Sequence, residues 1–256
     1  MALMDEFKEE REEIKNRPFK ERFAYYFGYY KWHAFAVVVA LITVISLIHH
    51  FATLKTTVLY TAFVNATLLD GKDAVLTEPF AALTGTDLKK EAFQFDDTIY
   101  LSMSEQSEET MVGVQKMAAL IYSGDLDVLI SKNDYFAAYA YQEVCVDPAE
   151  YLDPAVYEEL VSTGQIYYID LAFLRRSKEA SEQGEEVPAE EMPDPLDPSK
   201  MQEPVAAGLA LKECKTLDGA VVFREEGPLY VGVLATSKRS DMAEEFVAFL
   251  LRDLNE

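Results

Sequence analysis

The hydrophobic pattern of this chain has two regimes. Between Lys31 and Lys55 lie 23 residues without Asp, Glu, Lys or Arg: Trp32, His33, an apolar run from Ala34 to Ile48 broken only by Thr43 and Ser46, then His49, His50 and Phe51 to Leu54. A helix rises about 1.5 Å per residue, so roughly 20 residues cross a hydrocarbon core, and 32–54 is expected to be a transmembrane helix. After Lys55 the apolar runs shorten and alternate with helical periods. Thr57–Val64 reads as a buried strand and Asn65–Lys72 as a loop with an Asp70-Gly71 turn. Ala74–Leu83 is helical, interrupted by Pro79. Phe93–Leu101 is a second strand.

Glu108–Tyr122 has a helical apolar face of Val114, Met117, Ala118 and Ile121, stopped by Gly124. Asp127–Ser131 is a third strand, and Asn133 or Asp134 caps the helix through Tyr135, Phe136 and Tyr139. Asp147-Pro148 and Asp153-Pro154 both read as helix starts, with the acid as cap and Pro in the first turn. Gln165–Leu171 is a strand. Residues 175–204, with many acids and Pro188, Pro193, Pro195 and Pro198, read as a polar loop unable to bury a core. Strands resume at Val205–Leu211, Ala220–Phe223 and Leu229–Ala235. A last helix from Ser240 or Asp241 carries Ala243, Phe246, Val247, Leu250 and Leu254 on one face. Strands alternating with helices predict an α/β fold, its mixed sheet parallel at the centre and covered on both faces.

The flanks of the apolar run set its orientation. Arg17, Lys20, Arg22 and Lys31 precede it against Glu21 alone, whereas only Lys55 and Lys72 follow closely. Positive charge favours the cytoplasmic side, so 1–31 is expected to be a cytoplasmic juxtamembrane segment and 55–256 an extracytoplasmic domain of a single-pass cell-membrane protein. Phe23, Tyr25, Tyr26, Phe27, Tyr29, Tyr30 and Trp32 suit an interfacial belt contacting the bilayer or a membrane partner. A signal peptide is the rival, but His49, His50, Phe51 and Leu54 stand where small residues would mark cleavage. A soluble core helix is the other rival.

Charge then narrows the partners. Residues 1–54 hold seven basic and seven acidic side chains, so the net charge of −22 belongs wholly to 55–256. That excludes a basic footprint for nucleic acid there. Cys145 and Cys214 could form a disulfide or remain buried thiols. All three histidines, His33, His49 and His50, flank the apolar run, so the domain has no His base and no His-based zinc site. Catalysis and cofactors are not expected. Acids of 182–197 could hold Ca²⁺ but lack the spacing of a dedicated loop.

Two stretches carry a resemblance. Ser123-Gly124-Asp125-Leu126-Asp127-Val128-Leu129-Ile130, then Phe136–Ala140 and Cys145-Val146-Asp147-Pro148-Ala149-Glu150-Tyr151-Leu152, form one. Val231–Lys238 running into Ala243–Leu250 forms the other. Together they resemble type II periplasmic (extracellular) solute-binding proteins over about a third of the chain. The resemblance implies a periplasmic-binding-protein-like lobe architecture, a ligand cleft and an ABC importer as partner. The chain departs from that pattern in its helix anchor, which replaces a lipid-modified Cys, and in its second lobe, which would have to come from 165–225. A tethered, reduced relative that senses, scaffolds or holds a ligand is therefore the alternative to transport.

Ligands in open α/β sheets bind beyond the carboxyl ends of the strands. Three loops qualify: Asn65, Ala66 and Thr67; Ser131, Lys132, Asn133 and Asp134, with Tyr135 just beyond; and Ala235, Thr236 and Ser237. The leading expectation is non-catalytic binding of a small-molecule ligand, with lobe closure if two lobes exist. The rival is a scaffold or interaction subunit of a membrane transporter or other integral membrane complex.

Overall fold

The computed structural model describes Ile14 and residues 17–105, 107–184, 187–188, 191–212 and 214–252, with backbone alone at 25, 26, 29, 52, 133 and 134. It divides into two units, Met1–Leu54 and Lys55–Glu256. In the first, helix α1 runs Phe19–Thr53. Its segment Tyr30–Phe51 is long and apolar enough to cross a membrane, and none of it is buried. A core helix hides its apolar side chains; here Phe35, Leu41, Ile45 and Ile48 are all exposed, which leaves the core reading without support. Phe19, Phe23 and Phe27 stack at four-residue spacing, with ring centroids 6.5 and 5.8 Å apart.

The second unit contains β1 (Thr56–Phe63), β2 (Ala66–Leu68), α2 (Asp73–Thr84), β3 (Glu91–Asp96), α3 (Glu108–Ser123), β4 (Val128–Lys132), α4 (Asn133–Ala140), α5 (Pro154–Ser162), β5 (Ile166–Asp170), α6 (Leu171–Glu182), β6 (Pro204–Leu211), α7 (Lys215–Asp218), β7 (Val221–Phe223), β8 (Leu229–Val233) and α8 (Ser240–Arg252). Six strands form one mixed sheet in the order β3-β1-β4-β8-β6-β5. β1 is parallel to β3 and β4, whereas β8, β6 and β5 pair antiparallel in turn from β4. The expected α/β fold with a mixed sheet is present, but the central pair, β4 and β8, is antiparallel.

Alternation along β1 sorts the core. Leu59 and Phe63 join a cluster with α2 and α8, where Phe80 packs 5.1 Å from Phe246. Tyr60, Ala62 and Val64 join the opposite cluster with α3 and α4. On that face the Phe136 ring lies over two glycines of adjacent strands: a Cβ at Gly208 would sit 2.6 Å from its Cζ, and one at Gly232 3.0 Å away. The helix signals act as expected at several ends. Asp153 accepts from Ala155 N–H, and Gly124 closes α3 in the left-handed region; Ser107, which the sequence reading did not single out, also caps α3 by accepting from Thr110 N–H.

Other expectations are corrected. Residues 165–225 add β5 and β6 to the six-stranded sheet and β7 to a two-stranded one, all within the single compact unit Lys55–Glu256. Segment 175–204 is not all loop: α6 extends to Glu182, and Pro198–Lys200 is a 3-10 turn. Its later part is fastened. Pro195 C=O accepts from Tyr168 N–H at 2.8 Å, and Arg176 pairs with Glu191 at 3.2 Å. Asp170 accepts from the N–H groups of Ala172, Gln202 and Glu203. This covers the otherwise open edge of β5. The 65–72 loop contains β2, which pairs antiparallel with β7, and α2 continues through Pro79. Neither Asn133 nor Asp134 is a cap, because α4 starts at Asn133 with Lys132 before it. Leu254 lies outside the described residues. Cys145 and Cys214 are free thiols.

Candidate functional site

Strand direction decides which loops can meet. β1, β3 and β4 are parallel, so their carboxyl ends share one edge of the sheet. β8 runs the other way, with Val128 opposite Val233 and Lys132 opposite Leu229. Thr236 and Ser237 therefore follow β8 at the edge away from Asn65 and Ser131. The eight expected site residues do not form one site.

A cleft of about 450 Å³ opens beyond β1 and β3, lined by Asn65, Ala66, Asp97, Thr98, Ile99, Tyr100, Glu108, Glu109, Val112 and Arg224. Asn65 organises it. The residue is buried and left-handed, with φ of 54°, a conformation Asn tolerates better than most residues. Its N–H donates to Ile99 C=O at 3.0 Å, and its C=O accepts from Arg224 N–H at 2.9 Å. Its side chain accepts from Leu101 N–H at 2.7 Å and donates to Leu101 C=O at 2.8 Å and to Glu225 Oε1 at 2.7 Å. One residue thus ties the loop after β3 to the loop after β7. The side chains those loops carry meet: the Arg224 guanidinium lies 4.9 Å from the Tyr100 ring centre. With its own polar atoms satisfied, Asn65 positions the walls. Asp97, Glu108, Glu109 and Arg224 supply the charge.

The other expected residues are scattered. Ser131 is wholly buried in β4, with its Oγ unpartnered. Thr67 is exposed on β2 opposite Val222. Tyr135 lies near Asn65, Glu225 and Tyr100; burial, then the Glu225 charge, raises its hydroxyl pKa. Tyr139 is buried, which pushes its hydroxyl up to about 12, and Tyr141 packs 5.8 Å from Phe173. These two are packing residues. The side chains of Asn133 and Asp134 lie outside the described set. Ser237 belongs to a structural cluster: its Oγ donates to Asp127 Oδ1 at 2.6 Å and accepts from Arg239 N–H at 3.0 Å. Thr236 lines a separate groove beside α3 and α4.

Sequence reasoning missed Tyr100, Arg224 and the acids at the start of α3. Arg224 directly follows a strand, a position that was legible, but nothing local indicates that it stacks on Tyr100.

Below the cleft, Tyr60 on β1 donates its hydroxyl to Asp96. Lys116 Nζ lies 2.5 Å from the same carboxylate, and Thr98 donates both N–H and hydroxyl to it. Burial alone would raise the Asp96 carboxyl, but the hydrogen bonds from Lys116, Tyr60 and Thr98 outweigh it and hold it below its ordinary value of 3.8. A depressed folded pKa contributes stability above the unfolded value, and that contribution disappears as pH falls through the folded one. The difference in urea midpoint between the native chain and Asp96→Asn is therefore expected to be large near neutral pH and to shrink below about pH 4. A pH-independent difference would mean that the charge of Asp96 is not what matters.

Among the described residues no group of three or more His, Cys, Asp or Glu is arranged to hold a metal ion. Glu185, Glu186 and Glu190 of the acidic segment lie outside them. Burial pushes the Cys145 thiol up to about 12, which keeps it protonated and a poor nucleophile. No family model matches the chain, and neither the curated proteins nor the solved structures yield a match.

Proposed function

We propose that residues 55–256 form a non-catalytic, extracytoplasmic module that binds a small polar ligand in the cleft beyond β1 and β3. In this reading Tyr30–Phe51 spans the cell membrane with the N-terminus in the cytoplasm, as the Lys/Arg bias favours. An integral membrane protein, of transporter type, is the partner that would use the bound ligand. The observation that carries the reading is the cleft itself. It is open, lies where α/β sheets accept ligands, and sets an Arg224–Tyr100 stack against the carboxylates of Asp97, Glu108 and Glu109. Groups of both signs around one stacking ring suit a ligand with a cationic group and an acceptor. The resemblance to solute-binding proteins agrees with binding, and the single compact unit Lys55–Glu256 argues for a reduced form.

The test is thermal unfolding of the full chain in nanodiscs against sugars, amino acids, peptides, polyamines and Ca²⁺. A ligand at a hundredfold excess over its Kd stabilises by about 2.7 kcal/mol, or a rise of about 5 °C or more in a domain of this size. Arg224→Ala and Tyr100→Ala should each abolish the rise. A panel without any response overturns the reading. The rival, a scaffold subunit of a membrane complex, draws its support from exposed apolar side chains on α3.

A further inference from the structure

Helix α3 shows an unusual distribution of apolar residues. Its inward residues are Gly113 and Met117. A Cβ at Gly113 would lie 2.1 Å from Tyr100 C=O, so the helix can approach that loop only through glycine. This rotation leaves Met111, Val114, Ala118 and Tyr122 facing outward at three- and four-residue spacing, with Tyr122 95% exposed. Met103, 61% exposed, extends the stripe. A groove of about 580 Å³ runs between this face and Tyr139 of α4. It shares no lining residue with the ligand cleft.

We infer that this groove docks a basic amphipathic helix of a partner protein. Its row of apolar lining residues, Val114, Ala118, Ile121 and Tyr122, and the adaptable Met103 match what such a helix needs. Charge selects among occupants. Glu105, Glu108 and Glu109 are exposed beside the N-terminal end of the stripe, and among the described residues none of the three is ion-paired. A second copy presenting the same face would bring these carboxylates no free cation, because Lys116, the basic residue of α3, is paired with Asp96. An anionic bilayer surface would be repelled. A helix with Lys or Arg flanking its apolar face is attracted by both features. The inference rests on the same exposed face as the scaffold reading; Glu108 and Glu109 also line the ligand cleft, but the apolar contact needs no ligand there, so a failed ligand screen leaves it standing.

The probe is a synthetic amphipathic helix of leucine and lysine, titrated against the full chain in phosphatidylcholine nanodiscs, with empty nanodiscs subtracted. Micromolar binding is expected. The double variant Met103→Ser with Val114→Ser, both lining the groove, should weaken it about tenfold or more, since the apolar contact is lost and every charge is kept. Its melting temperature should be unchanged, because both side chains are exposed. Three results would overturn the inference. The serine variant could bind equally well, which means attraction by charge alone. A leucine-glutamate helix could bind as tightly as the basic one. Or the chain could be dimeric in nanodiscs and be made monomeric by the serine pair, which would assign the face to a second copy.

Discussion

Replacing Asp127 with alanine is expected to lower the melting temperature of the α/β domain by about 10 °C, with no dependence on moderate salt. Asp127 has no exposed surface, and its carboxylate has three partners. Oδ2 accepts from Tyr60 N–H at 2.7 Å and from Arg239 Nε at 2.8 Å, and Oδ1 accepts from Ser237 Oγ. Arg239 also donates to Asp125 C=O at 2.5 Å. The cluster joins the start of β4 to β1 and to the segment between β8 and α8. Removing one partner of a buried ion pair typically costs about 3–5 kcal/mol, because the other charge is left without compensation. In a domain of this length each kcal/mol is worth about 2–4 °C. Asp127→Asn retains an acceptor for Tyr60 or Ser237 and should lose less. Arg239→Met should lose nearly as much as Asp127→Ala, and the double variant less than the two single losses added. Additive losses in that cycle would show that the two side chains act separately. Salt-sensitive losses would show that the pair is exposed to solvent.

Local signals were legible wherever one short segment determines its own geometry. Asp153-Pro154 starts α5 as a cap followed by a first-turn proline, and Gly124 ends α3 because only a left-handed residue closes that turn cheaply. The α8 face of Ala243, Phe246, Val247 and Leu250 follows from the 3.6-residue period, and all four are fully buried. Strand direction was not legible. It depends on pairing partners distant in sequence, and the run Val205–Leu211 reads the same in either direction. That single unknown is why Thr236 and Ser237 were grouped with Asn65 and Ser131. The face of α3 was misread for a different reason. Hydrophobic counting gives weight to Val114 and Ala118 and none to Gly113, yet Gly113 marks the point of closest approach. Asp127 stood out in sequence as part of a resemblance; its physical reason is the buried cluster it centres.

Asn65→Gly is expected to cost the domain about 2–4 kcal/mol and to remove any ligand-induced stabilisation measured in the native chain. Glycine accepts the left-handed backbone at position 65, so this variant isolates the side chain. What is lost is the bridge to Leu101 N–H, Leu101 C=O and Glu225. Each buried backbone group left without a partner costs about 1–3 kcal/mol. Asn65→Ala should be worse by about 1 kcal/mol, the strain of a left-handed alanine. Asn65→Asp is the sharper variant. Its carboxylate can still accept from Leu101 N–H, but it turns acceptor against acceptor toward Leu101 C=O and the Glu225 carboxylate. Its stability should recover in part as pH falls and the carboxyl protonates, whereas the glycine variant gains nothing over the same range. If Asn65→Gly unfolds like the native chain, the loops after β3 and β7 hold together without it. If it is destabilised yet still binds ligand with native affinity, the Tyr100–Arg224 stack is not the wall the ligand meets.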